Sequence, residues 1–264
     1  MKNLLKYILF TLTILFCATN INAQELIAEA DSAYVNDDYS KAIELYSKAI
    51  DEYGTSSLLY YNLANAYYRS GQIGKSIVCY ERAIILDPQN LDAKTNLEFV
   101  NTKISDKPGD NGTFISNTVE LIVSKFHSNT WAKIALSLFI ILIIAISLYI
   151  FTNKIMLKKV GFFGAIILLI AMVISIIFSV QSANIASSHN KAIIISPSVI
   201  LSTSPRIPKD RTEEAMLLHE GTKVEILDSV SDGGNINTKW YDVKIDISHR
   251  AWINSSALEI IYTI

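Results

Sequence analysis

The sequence predicts a multidomain membrane protein: an all-α helical-repeat domain, a two-helix transmembrane hairpin and a C-terminal all-β small barrel. Three observations predict it. Two apolar runs, Trp131–Phe151 and Val160–Gln181, each hold about twenty residues, enough to cross a bilayer core of roughly 30 Å at about 1.5 Å per residue. Before them the chain repeats itself, Ala30 and Tyr34 recurring as Ala64 and Tyr68. Short runs of alternating apolar and polar residues follow them.

The chain opens with Lys2 and Lys6, then the apolar stretch Ile8–Phe16, then Ile21-Asn22-Ala23 before Gln24. A basic start, an apolar middle and a small-residue end describe a secretory signal peptide, residues 1–23, too short for a full span. Bulky Phe16 before Cys17 does not suit lipoprotein processing, so cleavage is expected after Ala23; an uncleaved anchor is the alternative and leaves the topology unchanged. Half of the 264 residues are hydrophobic and the net charge is −2, which offers no electrostatic footprint for nucleic acid. After cleavage Cys79 is the one remaining cysteine, so no intramolecular disulfide forms. Its helical setting reads as a packed small hydrophobe.

Residues 24–104 form the repeat domain. One constant shift of the chain places Ala30, Tyr34, Lys41, Ile43, Tyr46, Ala49 and Ile50 on Ala64, Tyr68, Lys75, Ile77, Tyr80, Ala83 and Ile84. Small residues let paired helices approach while tyrosines fill the grooves between units. The second unit, about 57–90, reads Tyr60-x-x-Leu63-Ala64-x-x-Tyr67, then Gly71, Ser76, Tyr80, Ala83 and Pro88. This resembles the tetratricopeptide repeat, with Tyr60 where tryptophan is frequent and Ser76 where alanine is usual. The first unit, about 24–56, is more degenerate: Asp37 stands at the turn where glycine is common. Leu91–Ile104 supplies a capping helix with a wet outer face, and Asn96-Leu97 repeats Asn62-Leu63. Such stacks bind partners along a concave groove. By the repeat's geometry Tyr61, Asn65, Tyr68 and Arg69 face that groove, Asn65 suited to an extended backbone and Arg69 to a carboxylate. The alternative is that all four are ordinary wet-face residues.

Ser105–Gly112 reads as a linker, because Pro and repeated Gly do not continue a helix. Phe114–Phe126 suits an amphipathic helix at the membrane surface or against the repeat domain, with Trp131 as an interfacial anchor. Between the spans, the loop Thr152–Lys159 holds Lys154, Lys158 and Lys159 and no acid. It is assigned to the cytoplasm by the positive-inside tendency. Both soluble parts are then periplasmic. A buried soluble hairpin is the alternative, disfavoured because apolar residues surround both helices.

Ser182–Asn190 is a polar spacer, after which the pattern turns to β. Strands are expected at Lys191–Leu201, Thr222–Leu227, Trp240–Ile247, Arg250–Ile253 and Ala257–Ile261, with a turn at Asp232-Gly233-Gly234-Asn235. The run Leu217-Leu218-His219-Glu220-Gly221-Thr222-Lys223-Val224, then Trp240-x-x-Val243 and Ala251-Trp252-Ile253, resembles a bacterial SH3-type domain over residues 191–264. Ala251 and Ser248-His249-Arg250 replace that family's glycines. The resemblance makes Trp240, Tyr241 and Trp252 candidates for a peptide groove, while alternation puts Tyr241, Val243 and Ile245 on one buried face.

The order of these parts resembles the E-type proteins of the Bat (Bacteroides aerotolerance) operon. That resemblance implies an inner-membrane protein acting beside von Willebrand A-type membrane proteins and a MoxR-type ATPase, with a link to oxidative or envelope stress. Catalytic constellations are absent. His127, His189, His219 and His249 lie in different segments, and no phosphate loop or Gly-x-Ser-x-Gly elbow occurs. Asp37-Asp38 and Glu213-Glu214 read as solvated pairs, and the hairpin holds no interior acid or histidine for a transport path. No enzyme, metal or cofactor is expected. Two functions remain: a scaffold gripping protein partners, or a sensor whose SH3-type domain binds cell-wall peptides.

Overall fold

A computed structural model describes residues 23–106, 114–188, 190–231 and 239–262. The expected signal peptide, most of the Ser105–Gly112 linker and the Asp232–Asn235 turn lie outside them. The described residues form two compact units, one from 23–86, 90–106, 190–231 and 239–262, the other chiefly from 114–188.

In the first unit, helices α1 (residues 23–35) and α2 (Tyr39–Tyr53) make one antiparallel pair. Helices α3 (Ser57–Arg69) and α4 (Ile73–Leu86) make the next, and α5 (Leu91–Asn101) follows. Ser56 and Asn90, at equivalent places one repeat apart, cap α3 and α5 by accepting from Leu59 N and Ala93 N. Ala30, Ala42, Ala49, Ala64, Ala83 and Ala93 are fully buried where helices meet. Ser76, in an alanine position, donates its hydroxyl to Ala64 O at 2.9 Å, which satisfies the one polar atom it brings into the core. Asp37 and Gly71 hold the repeat-equivalent turns at φ 61° and 82°. Asp37 thus occupies a backbone state that glycine adopts without steric cost.

The C-terminal segment is an antiparallel sheet of seven strands: β1 (Lys191–Ile194), β2 (Ser198–Ser202), β3 (Glu214–His219), β4 (Lys223–Ser231), β5 (Lys239–Lys244), β6 (Arg250–Asn254) and β7 (Leu258–Ile260). Their spatial order is β3-β2-β6-β5-β4-β1-β7. The expected single strand Lys191–Leu201 is two. Pro197 lacks an N–H and fixes φ, so the chain turns there; β1 then pairs with β4 and β7, while β2 pairs with β3 and β6. Strand β3 is an addition to the expected set, because Glu214–His219 does not alternate cleanly. Strand β5 ends at Lys244 rather than Ile247.

Sheet and helices share a core. Alternation along β1 sends Ala192 and Ile194 into the sheet's own cluster and Ile193 into the helical one, which Ile261, Ile195 and Ile104 also join. The turn Leu218–Lys223 faces the helices residue by residue. Asp106 accepts from His219 N and Thr222 Oγ1, both at 2.6 Å, and sits 2.9 Å from His219 Nδ1. Glu220 accepts from Gly74 N at 2.8 Å. Lys223 pairs with Glu81 at 2.6 Å. Arg82, 13% exposed, donates to Ile260 O and Ile261 O at 2.8 Å and pairs with Glu259. The Glu220 contact has a sequence cause. Helix α2 has Asp38 as its own N-cap, accepting from Lys41 N, but the equivalent residue before α4 is Gln72. A carboxylate from the sheet therefore supplies the anion that the start of α4 lacks.

The second unit holds α6 (Phe114–Val123), α7 (Ser128–Phe151) and α8 (Ile155–Ala186). Both long helices are apolar and long enough to cross a membrane, and only 11% of each apolar window is buried. Lys158 and Lys159, expected in the loop, stand in the first turns of α8, because nothing in Ile155–Lys159 opposes a helix. The expected spacer is likewise helical up to Ala186. Gly161 marks the crossing: a Cβ there would lie 2.7 Å from Ala145 O and 2.8 Å from Tyr149 N. Ser175, Ser179 and Ser182 of α8 donate to the carbonyls of Trp131, Ser128 and Phe126. Trp131 packs edge-to-face on Phe126 and Phe178 and donates Nε1 to Val123 O at 3.1 Å. Its ring therefore fastens the α6–α7 turn to α8.

Candidate functional site

Helices α1, α3 and α5 present one continuous surface with two hollows of about 200 and 220 Å³. The first is lined by Asp31, Tyr34, Val35, Tyr46, Asn62 and Asn65. Tyr34, Asn65, Tyr68, Arg69, Tyr80, Asn96, Phe99 and Val100 line the second.

The polar floor of each hollow is one cluster, built twice at repeat-equivalent positions. In the first, the Tyr46 hydroxyl donates to Asp31 Oδ1, which Asn62 Nδ2 approaches at 3.5 Å. In the second, the Tyr80 hydroxyl donates to Asn65 Oδ1 at 2.5 Å and Asn96 Nδ2 donates to the same oxygen at 3.0 Å. Burial pushes both tyrosine hydroxyls well above their ordinary range, so they stay protonated and donate. With Oδ1 occupied twice, Asn65 is left its amide N–H groups for a ligand, which fits a peptide carbonyl.

The four residues expected on this face are not equivalent. Asn65, Tyr68 and Arg69 line the second hollow. Tyr61 does not line it; its ring lies 6.1 Å from that of Tyr80. Tyr68 packs edge-to-face on Phe99 at 5.9 Å. Arg69 is already engaged: Nη2 lies 3.2 Å from Asp37 Oδ1, and the guanidinium lies 4.9 Å from the Tyr39 ring centre. It is not a free cation awaiting a carboxylate. Asp31, Asn62, Asn96 and Phe99 complete the surface. The repeat period carries the signal for three of them, because Asp31 and Phe99 are the equivalents of Asn65, and Asn96 is the equivalent of Asn62. Helix α5 thus acts as a third inner helix as well as an end to the stack.

The aromatic candidates on the sheet divide. Trp240 is 6% exposed, so its ring does not form an open groove wall. Tyr241 packs with Val243 and Ile245 in the sheet's core. Trp252 is half-buried, opposite Asp242 on β5. Asp242, 1% exposed, is held by the Arg250 guanidinium, with Nε 2.7 Å from both carboxylate oxygens. Arg250 thereby ties the start of β6 to β5. Among the described residues no group of three His, Cys, Asp or Glu side chains is placed to hold a metal.

Comparison with known proteins agrees with the helical segment. The family model of the tetratricopeptide repeat matches residues 57–90. A protein from Oryza sativa subsp. japonica described as an SGT1 homolog is 35% identical over 66 residues, 25% of this chain and 18% of that protein. The crystal structure of the Sgt2 TPR domain from Aspergillus fumigatus is 31% identical, covering 31% of this chain and 54% of that one at a TM-score of 0.30. The chain thus spans under a fifth of the curated relative's length. Residues 57–90 are a tetratricopeptide repeat, and such repeats point to an adaptor role in protein–protein interaction.

Proposed function

We propose that this protein is a non-enzymatic, membrane-anchored adaptor that recruits protein partners along the α1–α3–α5 surface. The observation that carries the reading is the repeated polar cluster. Asn62, Asn65 and Asn96 bring to a solvent-facing groove amide groups that the alanine-lined core does not need. Amides and tyrosines beside Val35 and Phe99 suit an extended peptide, whose backbone is hydrogen-bonded while its side chains enter the hollows.

The hairpin is the anchor in this reading. Segments before and after it build one unit with a shared core, so both must end on the same side of a membrane, as two crossings require. The lysines at the α7–α8 connection favour the cytoplasm for that end and the periplasm of a bacterial inner membrane for the soluble unit. The sheet is read as an SH3-type module whose characteristic turn, Leu218–Lys223, is turned inward onto the helices. Partners of the Bat type, with von Willebrand A-type domains, and a role in oxidative or envelope stress follow from the resemblance. The cell-wall-sensor alternative is weaker, because it relies on Trp240 and Trp252 as an open aromatic groove.

The test is site-specific photo-crosslinking in native membranes. A benzophenone amino acid at Val35 or Phe99, 78% and 50% exposed, is expected to capture a partner protein. The same probe at Lys48, exposed on α2, is not. Equal capture from all three positions, or none from the groove, would overturn the reading.

A further inference from the structure

The two hollows share a plan but differ at three repeat-equivalent positions. Asp31, Val35 and Asn65 in the first correspond to Asn65, Arg69 and Phe99 in the second. The first therefore has a carboxylate where the second has an amide, and an aliphatic rim where the second has a guanidinium. Other acids nearby are neutralised: Glu29 pairs with Lys41 at 2.8 Å and Asp37 with Arg69. Among the described residues no lysine or arginine pairs with Asp31. Its contacts are the Tyr46 hydroxyl and the Asn62 amide, both neutral and both on Oδ1.

We propose that the Asp31 hollow is a subsite for a primary ammonium, the side chain of a lysine in the protein segment that the groove recruits. This rests on the groove being the recruitment surface and adds the residue it reads. Asp31 supplies the counter-charge, and the half-buried Tyr34 ring that lines the hollow adds an aromatic wall beside a cation, while the Tyr46 ring is packed in the core. Exposed Val35 covers the aliphatic stem that a lysine carries behind its charge. Specificity comes also from the difference between the hollows. At the equivalent place in the second hollow Asn65 offers an ammonium no charge, and the rim is taken by the Arg69 guanidinium, already paired with Asp37. A lysine is thus favoured at one end of the groove and not one repeat later, which sets the direction in which the segment lies.

The repeat supplies a conservative variant. Asp31→Asn keeps the shape and the bonds to Tyr46 and Asn62, because Asn65 holds the same cluster with an amide one repeat on. The probe is the blocked heptapeptide Gly-Ser-Gly-Lys-Gly-Ser-Gly, compared with its Nε-acetyl-lysine counterpart. Both are titrated against the full-length chain in detergent and followed by saturation-transfer NMR of the lysine methylene protons. The parent is expected to prefer the free lysine by about tenfold or more, the scale of one charge-assisted hydrogen bond. Asp31→Asn should remove the preference, and added salt should weaken binding of the free lysine alone. Equal response to both peptides, no response to either, or a preference that survives Asp31→Asn would overturn the subsite. Partner capture from Val35 and Phe99 in the crosslinking experiment is a separate readout. If capture persists while the lysine preference is absent, the groove reading stands and the ammonium subsite falls.

Discussion

Replacing Gly74 by alanine tests whether sheet and helices are one body, because the sign of the effect depends on it. Gly74 lies in the first turn of α4, where alanine would by itself stabilise the helix by up to about 1 kcal/mol. In the docked unit, a Cβ at this position would lie 2.5 Å from Ile194 O, 3.0 Å from Glu220 Cγ and 3.0 Å from Ile195 Cα. The nearest of these is backbone, held in the β1 ladder, so it cannot rotate away. Overpacking typically costs about 1–3 kcal/mol, and a contact this close to a fixed carbonyl belongs in the upper half of that range. The net expectation is destabilisation by about 1–2 kcal/mol. Cys79 is a native reporter: it is buried in α4, and burial pushes its thiol up to about 12, so it reacts only when the helix opens. With Cys17 replaced by serine, labelling of Cys79 by a fluorogenic maleimide in detergent should be about 5- to 30-fold faster in Gly74→Ala than in the parent. Labelling at the parent rate or slower would mean that helix propensity alone is felt, and the seam would be refuted.

Other outcomes are expected. Asp37→Gly should relieve a left-handed backbone strain of roughly 1 kcal/mol while losing an exposed pair with Arg69 and an exposed hydrogen bond from the Tyr39 hydroxyl; a fall in melting temperature would show that these two contacts outweigh the strain. Reporter fusions after Asp106 and after Ser188 should share one side of the membrane, with a fusion after Asn153 opposite; differing locations for the first two would break the hairpin reading. Burial alone would raise the Asp106 carboxyl, but hydrogen bonds from Thr222 and His219 outweigh it and hold the group below its ordinary value. Its contribution is therefore present above pH about 4 and lost as pH falls further. Asp106→Asn should flatten the acid limb of the thermal-stability profile, and an unchanged limb would mean that another group carries it.

The helical repeat was legible because its period is long and its small residues are rigidly required. The same shift that pairs Tyr46 with Tyr80 also pairs Asp31 with Asn65, so most of the groove was in the sequence once both members were compared. Arg69 misled because its partner, Asp37, lies in the previous repeat's turn, and the sequence does not show which charges already meet. The seam was hidden for a similar reason. Leu218–Lys223 has a familiar form, yet its contacts with Asp106, Gly74 and Glu81 join residues more than a hundred positions apart. The split of the first strand at Pro197 was written in the chemistry of proline and needed only to be weighed above the apolar run around it.

The shared core has a consequence in time as well as space. Asp106 leaves the ribosome 113 residues before His219, a delay of roughly 6–23 seconds at about 5–20 residues per second. During that interval Ile77 and Ile104 have no sheet to cover them, and the start of α4 waits for its carboxylate. The nascent repeat segment must therefore be held soluble until both hydrophobic helices have been made and the strands after them have followed. Truncation anywhere within the sheet strands that half-built state, and so a protease or chaperone acting on the early segment would decide how much complete protein accumulates.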